Sequence, residues 1–84
     1  MYYVYILKCA DDTLYTGITT ELARRVDEHN GSDKGAKYTR IRRPVKLVYN
    51  EVHDDRSAAS KREYEIKKKM TRKEKLKMIK EKND

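Results

Sequence analysis

The sequence contains no phenylalanine and no tryptophan, one cysteine, one proline and only three glycines. Without Phe or Trp, the seven tyrosines must supply all the aromatic packing, so their hydroxyls have to stay near the surface or find hydrogen-bond partners. The single cysteine, Cys9, excludes an intramolecular disulfide framework. With only two histidines beside it, an ordinary structural zinc site is excluded as well. No apolar run is long enough to span a bilayer. The tyrosine-rich start, Met1 to Lys8, is too short for a signal peptide. A cytoplasmic location without membrane contact is the expectation. There is no repeat, no low-complexity linker and no boundary, so residues 1–84 read as one domain, taken as a monomer. A chain this short buries a modest fraction of its surface and is marginally stable.

What is abundant is charge, and it is unevenly placed. The net charge is +7. Residues 1–55 carry nine basic and nine acidic side chains, whereas residues 56–84 carry twelve and five. Inside the neutral part, Lys34, Lys37, Arg40, Arg42, Arg43 and Lys46 follow one another without an acid among them. Clustered positive charge binds polyanions by releasing condensed counterions, which makes nucleic acid the leading partner class. A solvated lysine-rich helix accounts equally well for residues 67–82 taken alone. The Arg-rich segment is harder to explain that way, because it reads as a loop.

Tyr2 to Cys9 and Leu14 to Thr19 are β-branched and aromatic runs, joined by the turn residues Ala10-Asp11-Asp12-Thr13, and so predict a hairpin. Thr19 or Thr20 can cap a helix that runs to about Asn30, with Gly31 placed to stop it. A basic connection over 31–44 ends at Pro44. Val45 to His53 predicts a third strand, and Leu47-Val48-Tyr49, apolar on both faces, suggests that it is central. Asp54 or Asp55 caps a helix from about Arg56 to Met70. Thr71-x-x-Glu74 is a capping box that starts a last helix with Leu76 and Ile79 on one side. The order ββαβαα defines an α+β domain, with a small, three-stranded, mostly antiparallel sheet flanked by helices.

Three polar residues fall where apolar ones are expected. Leu22, Val26 and His29 follow helical spacing, and Arg25 sits one turn before His29 on the same face or its border. An arginine there is costly unless an anion meets it or its head reaches water. Ala59, Glu63, Ile66 and Met70 repeat the pattern, so Glu63 must be paired, hydrogen-bonded or metal-bound. Arg25 and Lys67 are the candidate pair partners. As a metal ligand, a single carboxylate suits Mg²⁺, which keeps several waters and takes substrate phosphate.

The hairpin poses a question of register. Side chains alternate along each strand and cross-strand partners share a face. A two-residue loop pairs Tyr5 with Ile18 and separates Tyr5 from Tyr15. A three-residue loop pairs Tyr5 with Gly17 and Leu7 with Tyr15, and puts both tyrosines on one face as diagonal neighbours. A bulge achieves the same.

The residues Tyr3-Val4-Tyr5 and Tyr15-Thr16-Gly17, with Arg25 ten residues after Tyr15, His29 four further on and Glu63 before Ile66-Lys67, resemble the motifs of the GIY-YIG nuclease superfamily. Small stand-alone bacterial proteins of that superfamily share the stretch Gly35-Ala36-Lys37-Tyr38-Thr39-Arg40, Pro44 and Leu47-Val48-Tyr49. The resemblance implies a metal-dependent endonuclease. Tyr5 and Tyr15 would activate the attacking water and contact the scissile phosphate, and Arg25 would neutralise that phosphate. His29 would assist proton transfer, and Glu63 would ligate one Mg²⁺ or Mn²⁺. Lys37, Tyr38, Thr39, Arg40, Arg42 and Arg43 are the candidate nucleic-acid contacts, with DNA ahead of RNA. Tyr3 stands where the motif name has Gly, Thr16 where it has Ile, and Ile18 where several relatives carry Lys. The alternative is a module that binds nucleic acid on this fold without cutting it, which would need the basic segment but not Glu63.

Overall fold

Tyr2–Lys8 forms β1, the middle strand of a three-stranded antiparallel sheet in the order β2-β1-β3. The computed structural model describes residues 1–83. β2 is Leu14–Thr19 and β3 is Lys46–His53. Between them lie α1, Leu22–Gly31, and the short α2, Lys37–Arg40. After β3 come α3, Arg56–Tyr64, a π-helical turn over Glu65–Lys69, and α4, Arg72–Asn83. The ββαβαα order stands, with α2 added inside the basic connection.

β1 is central because its residues Val4, Tyr5, Ile6 and Leu7 are all buried, alternately to the two faces. Val4 and Ile6 pack with Tyr49, Ala59 and Ile66 under α3 and the π-helical turn. Tyr5 and Leu7 face the other way and pack with Cys9 and Val45, flanked by Leu22 and Val26 of α1. The expectation that β3 is central is therefore corrected: it is an edge strand. Its apolar run serves both faces for another reason. The β1–β3 register shifts between Ile6, opposite Tyr49, and Leu7, opposite Leu47, leaving Val48 as the extra residue of a bulge. A bulge turns Leu47 and Tyr49, which a regular strand would put on one side, to opposite sides of the sheet.

The hairpin has the register that joins the two tyrosines. Tyr5 is opposite Gly17 and Leu7 opposite Tyr15. The pairing continues to Cys9, whose N–H donates to the Thr13 carbonyl at 2.9 Å, which leaves Ala10-Asp11-Asp12 as a three-residue loop. Asp12 takes φ 68°, the left-handed residue that such loops require and that aspartate tolerates.

Helix ends differ from the sequence expectation in instructive ways. Thr19 does not cap α1. It is still in β2, and its hydroxyl accepts from the Glu21 N–H at 3.1 Å, a local turn that swings the chain from strand into helix. Gly31 is the last residue of α1 but no glycine has a positive φ. The carbonyls that end the helix are met by the Arg43 guanidinium instead. Its Nε donates to His29 O at 2.6 Å, and its Nη2 to Ser32 O at 2.6 Å and to Glu28 O at 3.4 Å. A cation there also opposes the negative end of the helix dipole. Asp55 caps α3 by accepting from Ala58 N–H at 2.8 Å. The capping box of α4 is formed in both directions between Thr71 and Glu74.

Because hydrogen bonds from a charged donor contribute about 1.5–3 kcal/mol each when their acceptors are otherwise unmet, Arg43→Met should lower stability by about 2–3 kcal/mol. Urea unfolding should show the midpoint falling with an unchanged slope; an unaltered midpoint would mean that solvent satisfies those carbonyls equally well.

Candidate active site

The site is built on the Tyr5 face of the sheet. Tyr5 can lie flat across β2 only because its partner there is glycine. A Cβ on Gly17 would stand 2.5 Å from the Tyr5 hydroxyl oxygen and 2.6 Å from Cζ. The phenol thus passes over Gly17 and meets α1, where its oxygen is 2.9 Å from Nε2 of His29. Both side chains are buried, Tyr5 at 1% exposure and His29 at 0%. A second close approach fixes the far side of His29. A Cβ on Gly35 would fall 2.6 Å from the Glu28 carbonyl oxygen and 2.9 Å from the His29 Cα, so only glycine lets the chain turn against α1 here. That turn delivers α2, and with it Thr39, whose Oγ1 is 2.8 Å from Nδ1 of His29.

The hydrogen-bond pattern assigns the imidazole protons. Thr39 has one hydroxyl hydrogen, and it donates to the Ala36 carbonyl at 2.9 Å. Oγ1 is then an acceptor towards His29, so Nδ1 carries the proton and Nε2 accepts from the Tyr5 O–H. The Ala36 N–H, 3.4 Å from Nδ1, is a longer contact and does not reverse the assignment. His29 is held neutral, with a pKa pushed down to about 4 by burial and by the nearby Arg25 cation. Burial pushes the Tyr5 hydroxyl up to about 12, against the opposing pull of Arg25. Tyr15, half-buried, is raised for the same first reason. At neutral pH the pair is therefore a phenol hydrogen-bonded to a neutral imidazole.

Tyr15 joins this cluster edge-on. Its ring centroid is 5.2 Å from that of His29 and 6.5 Å from that of Tyr5. On its outer side it stacks on Tyr38 at 5.9 Å. Tyr38 is in turn covered by Arg42, whose Cζ is 3.9 Å from the ring centroid. Arg25 borders the cluster, a quarter exposed, with Nη1 donating to Glu28 at 3.0 Å and to the Lys34 carbonyl at 2.7 Å. Its anionic partner is thus Glu28, not Glu63.

Glu63 comes from α3, yet its charge acts on the site: the carboxylate adds to the upward shift of both Tyr5 and Tyr15. Its ion-pair partner is Lys67 at 3.9 Å, with Glu63 28% exposed, a pairing that contributes well under about 1 kcal/mol. Among the described residues no group of three His, Cys, Asp or Glu side chains comes together. A lone, accessible and weakly paired carboxylate fits a hard divalent ion that takes its other ligands from water and phosphate.

The six basic-segment candidates are placed very differently from one another. Lys37 and Tyr38 reach the surface. Thr39 is fully buried against His29. Arg40 donates to the Asp33 carbonyl at 3.0 Å, Arg42 to Asp11 at 3.0 Å and to the Tyr38 carbonyl at 2.9 Å, and Arg43 to the end of α1. Sequence reasoning missed Thr39 as the partner of His29 and Gly17 and Gly35 as the clearances that admit it. Only Gly17 gave a signal, as a glycine inside a predicted strand.

Two tyrosines over a strand glycine, an Arg–His helix on that face and a carboxylate on the opposite helix make up the candidate site of this α+β domain. The sequence family described as the GIY-YIG catalytic domain matches residues 1–77. The chain belongs to the GIY-YIG family. It is 56% identical over 80 residues to a UPF0213 protein of Staphylococcus haemolyticus, covering 95% of each chain. It is 70% identical over 66 residues to one from Desulfotalea psychrophila, covering 79% of this chain and 60% of that protein. Among solved structures it is similar to a protein of E. faecalis, with 45% identity, a TM-score of 0.65 and coverage of 98% and 85%. The UPF0213 protein of Bacillus halodurans is similar at 43% identity with a TM-score of 0.60, covering 95% and 84%.

Gly17→Ala should push the Tyr5 phenol off His29 and lower stability by about 1–3 kcal/mol, the usual range for overpacking. A crystal or NMR structure of the variant with the Tyr5–His29 bond intact would contradict this account. His29 also makes stability pH-dependent. Unfolded, it titrates near 6.5, and folded, near 4, so between those values the unfolded chain binds more protons and stability falls as pH is lowered. Compared with His29→Gln, the wild type should lose about 2 kcal/mol more between pH 7 and 4.5. Parallel pH–stability curves for the two proteins would rule the neutral buried imidazole out.

Proposed function

We propose that the protein is a metal-dependent endonuclease that hydrolyses phosphodiester bonds in nucleic acid, DNA ahead of RNA, with Mg²⁺ or Mn²⁺. The observation that carries this reading is the Tyr5–His29 pair, a phenol against the free lone pair of a neutral imidazole, beside Arg25 and within the field of Glu63. A protein that only bound nucleic acid would need neither that pair nor a weakly paired carboxylate on α3. Family membership supports the substrate class.

The groups divide the work by exposure and charge. Tyr15, more exposed than Tyr5, meets the attacking water and a phosphate oxygen. Tyr5 lies behind it, and its hydroxyl hands its own proton to Nε2 of His29 while taking up the one that Tyr15 receives from the attacking water. Thr39 keeps Nε2 the accepting atom, because it holds the Nδ1 proton. A phenol of pKa near 10 or above is a poor base alone, so the imidazole is needed to take the proton. Arg25 lies where the phosphate would bind, and it couples binding to proton transfer. With no phosphate bound, its charge helps to hold His29 neutral; a bound phosphate cancels part of that field and makes His29 the stronger base. The departing oxygen is protonated from water, to which the half-exposed site is open. Glu63 would hold the divalent ion, which when bound supplies Lewis acidity at the phosphoryl oxygen.

Glu63→Ala should abolish metal-dependent nicking while nucleic-acid affinity, measured in EDTA, stays within about threefold, since one carboxylate contributes nothing attractive to a polyanion. Tyr15→Phe should slow cleavage by about 10²–10⁴, the range for a lost acid–base group. The assay is a panel of branched, nicked, single-stranded and RNA substrates with several metals. No cleavage of any of them by the wild type would refute the enzyme, and full activity in Glu63→Ala would move the site elsewhere.

A further inference from the structure

The arginines that sequence reasoning put on nucleic acid are already hydrogen-bonded to their own chain. Arg40, Arg42 and Arg43 donate to backbone carbonyls, and Arg42 also to Asp11. The basic side chains that face open grooves are others. Lys67, Lys68 and Lys75 line a groove of about 410 Å³ whose wall includes Tyr15 itself, and among the described residues no carboxylate lines it. Lys67 and Lys68 come from the π-helical turn, a local widening of a helix that recurs at functional sites. At the other end of β2, a groove of about 360 Å³ is lined by Arg24, Arg25 and Arg56. Its one carboxylate, Glu28, is already taken by Arg25.

Both grooves run along β2, an edge strand, with the candidate active site between them. Three ammonium groups lining one groove repel each other. Among the described residues, only Lys67 is offset, by Glu63 at 3.9 Å and the Tyr15 ring at 5.6 Å. An anion is what that groove lacks. On the other side, Arg24 pairs among the described residues only with Glu21 at 3.5 Å, both more than 60% exposed, a contact weak enough to exchange for phosphate.

We propose that one polynucleotide strand lies along the β2 edge, with phosphates on one side of Tyr15 seated among Lys67, Lys68 and Lys75 and those on the other side near Arg24 and Arg56. This rests on the nucleic-acid reading of the site and adds to it where the chain runs and what holds it. From Leu14 to Thr19 the strand extends about 17 Å at ~3.4 Å per residue, the length of about five base-pair rises of a B-form duplex at ~3.4 Å each. Lysine ammoniums hold phosphates as point charges and read no bases, so the track grips strands of any sequence.

The test is binding of fluorescein-labelled single-stranded and duplex oligonucleotides, followed by anisotropy in EDTA from 50 to 200 mM salt, so that no cleavage is needed. Lys68→Gln/Lys75→Gln and Arg24→Gln/Arg56→Gln are compared with Lys73→Gln/Lys80→Gln, which removes the same charge from α4 outside both grooves. Each groove variant should bind at least about tenfold more weakly at low salt. Its log–log salt slope should be shallower by about 1.4 on single strands, at ~0.7 per lost contact. The control pair should shift affinity less than about twofold. Equal weakening in all three overturns the track, because net charge alone would then hold the strand. Wild-type-like binding by both groove variants overturns it too and leaves the nuclease reading standing. A wild type that binds no nucleic acid at all removes both.

Discussion

The hydrogen bond between Tyr5 and His29 joins the central strand to α1 through the protein interior, and the site depends on it. Both partners are excluded from water, so each must find its bond in the other. That requirement reaches outward. Gly17 is needed so that the phenol can cross β2, and Gly35 so that the loop can approach α1 closely enough to bring Thr39. Thr39 is then committed to the Ala36 carbonyl, which decides which imidazole nitrogen faces Tyr5. Five residues scattered over thirty-five positions therefore specify one proton arrangement.

Arginine and lysine divide into separate roles, for reasons that follow from their chemistry. A guanidinium has several fixed donors and can satisfy two or three carbonyls at once. Arg43 does so at the end of α1, and Arg62 does a related job at the other side of the sheet, gathering Glu51 of β3 and Glu65 near the π-helical turn. Around Glu51 the Tyr49 hydroxyl and His53 also converge, at 2.5 and 2.6 Å. With these four bonds the carboxylate titrates below its ordinary range, hydrogen bonds and the Arg62 cation outweighing burial. Lysine, a strongly hydrated point charge, is left on α4 and the π-helical turn, where it meets solvent.

This division is why the fold was legible in the sequence and the basic surface was not. Alternation and turn chemistry give the hairpin, Asp55 and Thr71-x-x-Glu74 give two helix starts, and the stripe through Glu63 gives the α3 face. Each of these signals is local. The Arg-rich segment reads as a nucleic-acid contact, and the carbonyl partners that its arginines also hold are invisible in the sequence because no pattern marks them. Thr39 looked like a surface residue because its partner, His29, lies ten positions away across a turn that only Gly35 permits. The placement of β3 failed for a related reason. Leu47-Val48-Tyr49 is apolar throughout, and a bulge on an edge strand produces that pattern as readily as burial at the centre.

One sheet with two unlike faces explains how so small a domain carries costly polar groups. On the Val4–Ile6 side, Ala59 and Ile66 close a mainly apolar core, with Thr16 buried opposite Ile6. That core supplies the hydrophobic stabilisation on which a chain of this length depends. The Tyr5–Leu7 side is then free to hold a neutral histidine, two tyrosines and an arginine, all in contact or close by. β1 is the shared wall, so the residues that position the phenol are adjacent in sequence to those that hold the fold. Glu63 bridges the division, since it rides on the helix that packs the apolar face and yet acts electrically on the tyrosines of the other. A reaction site assembled across the edge of a sheet in this way needs no second domain to enclose it. It also leaves β2 open along its length to a partner that is itself extended.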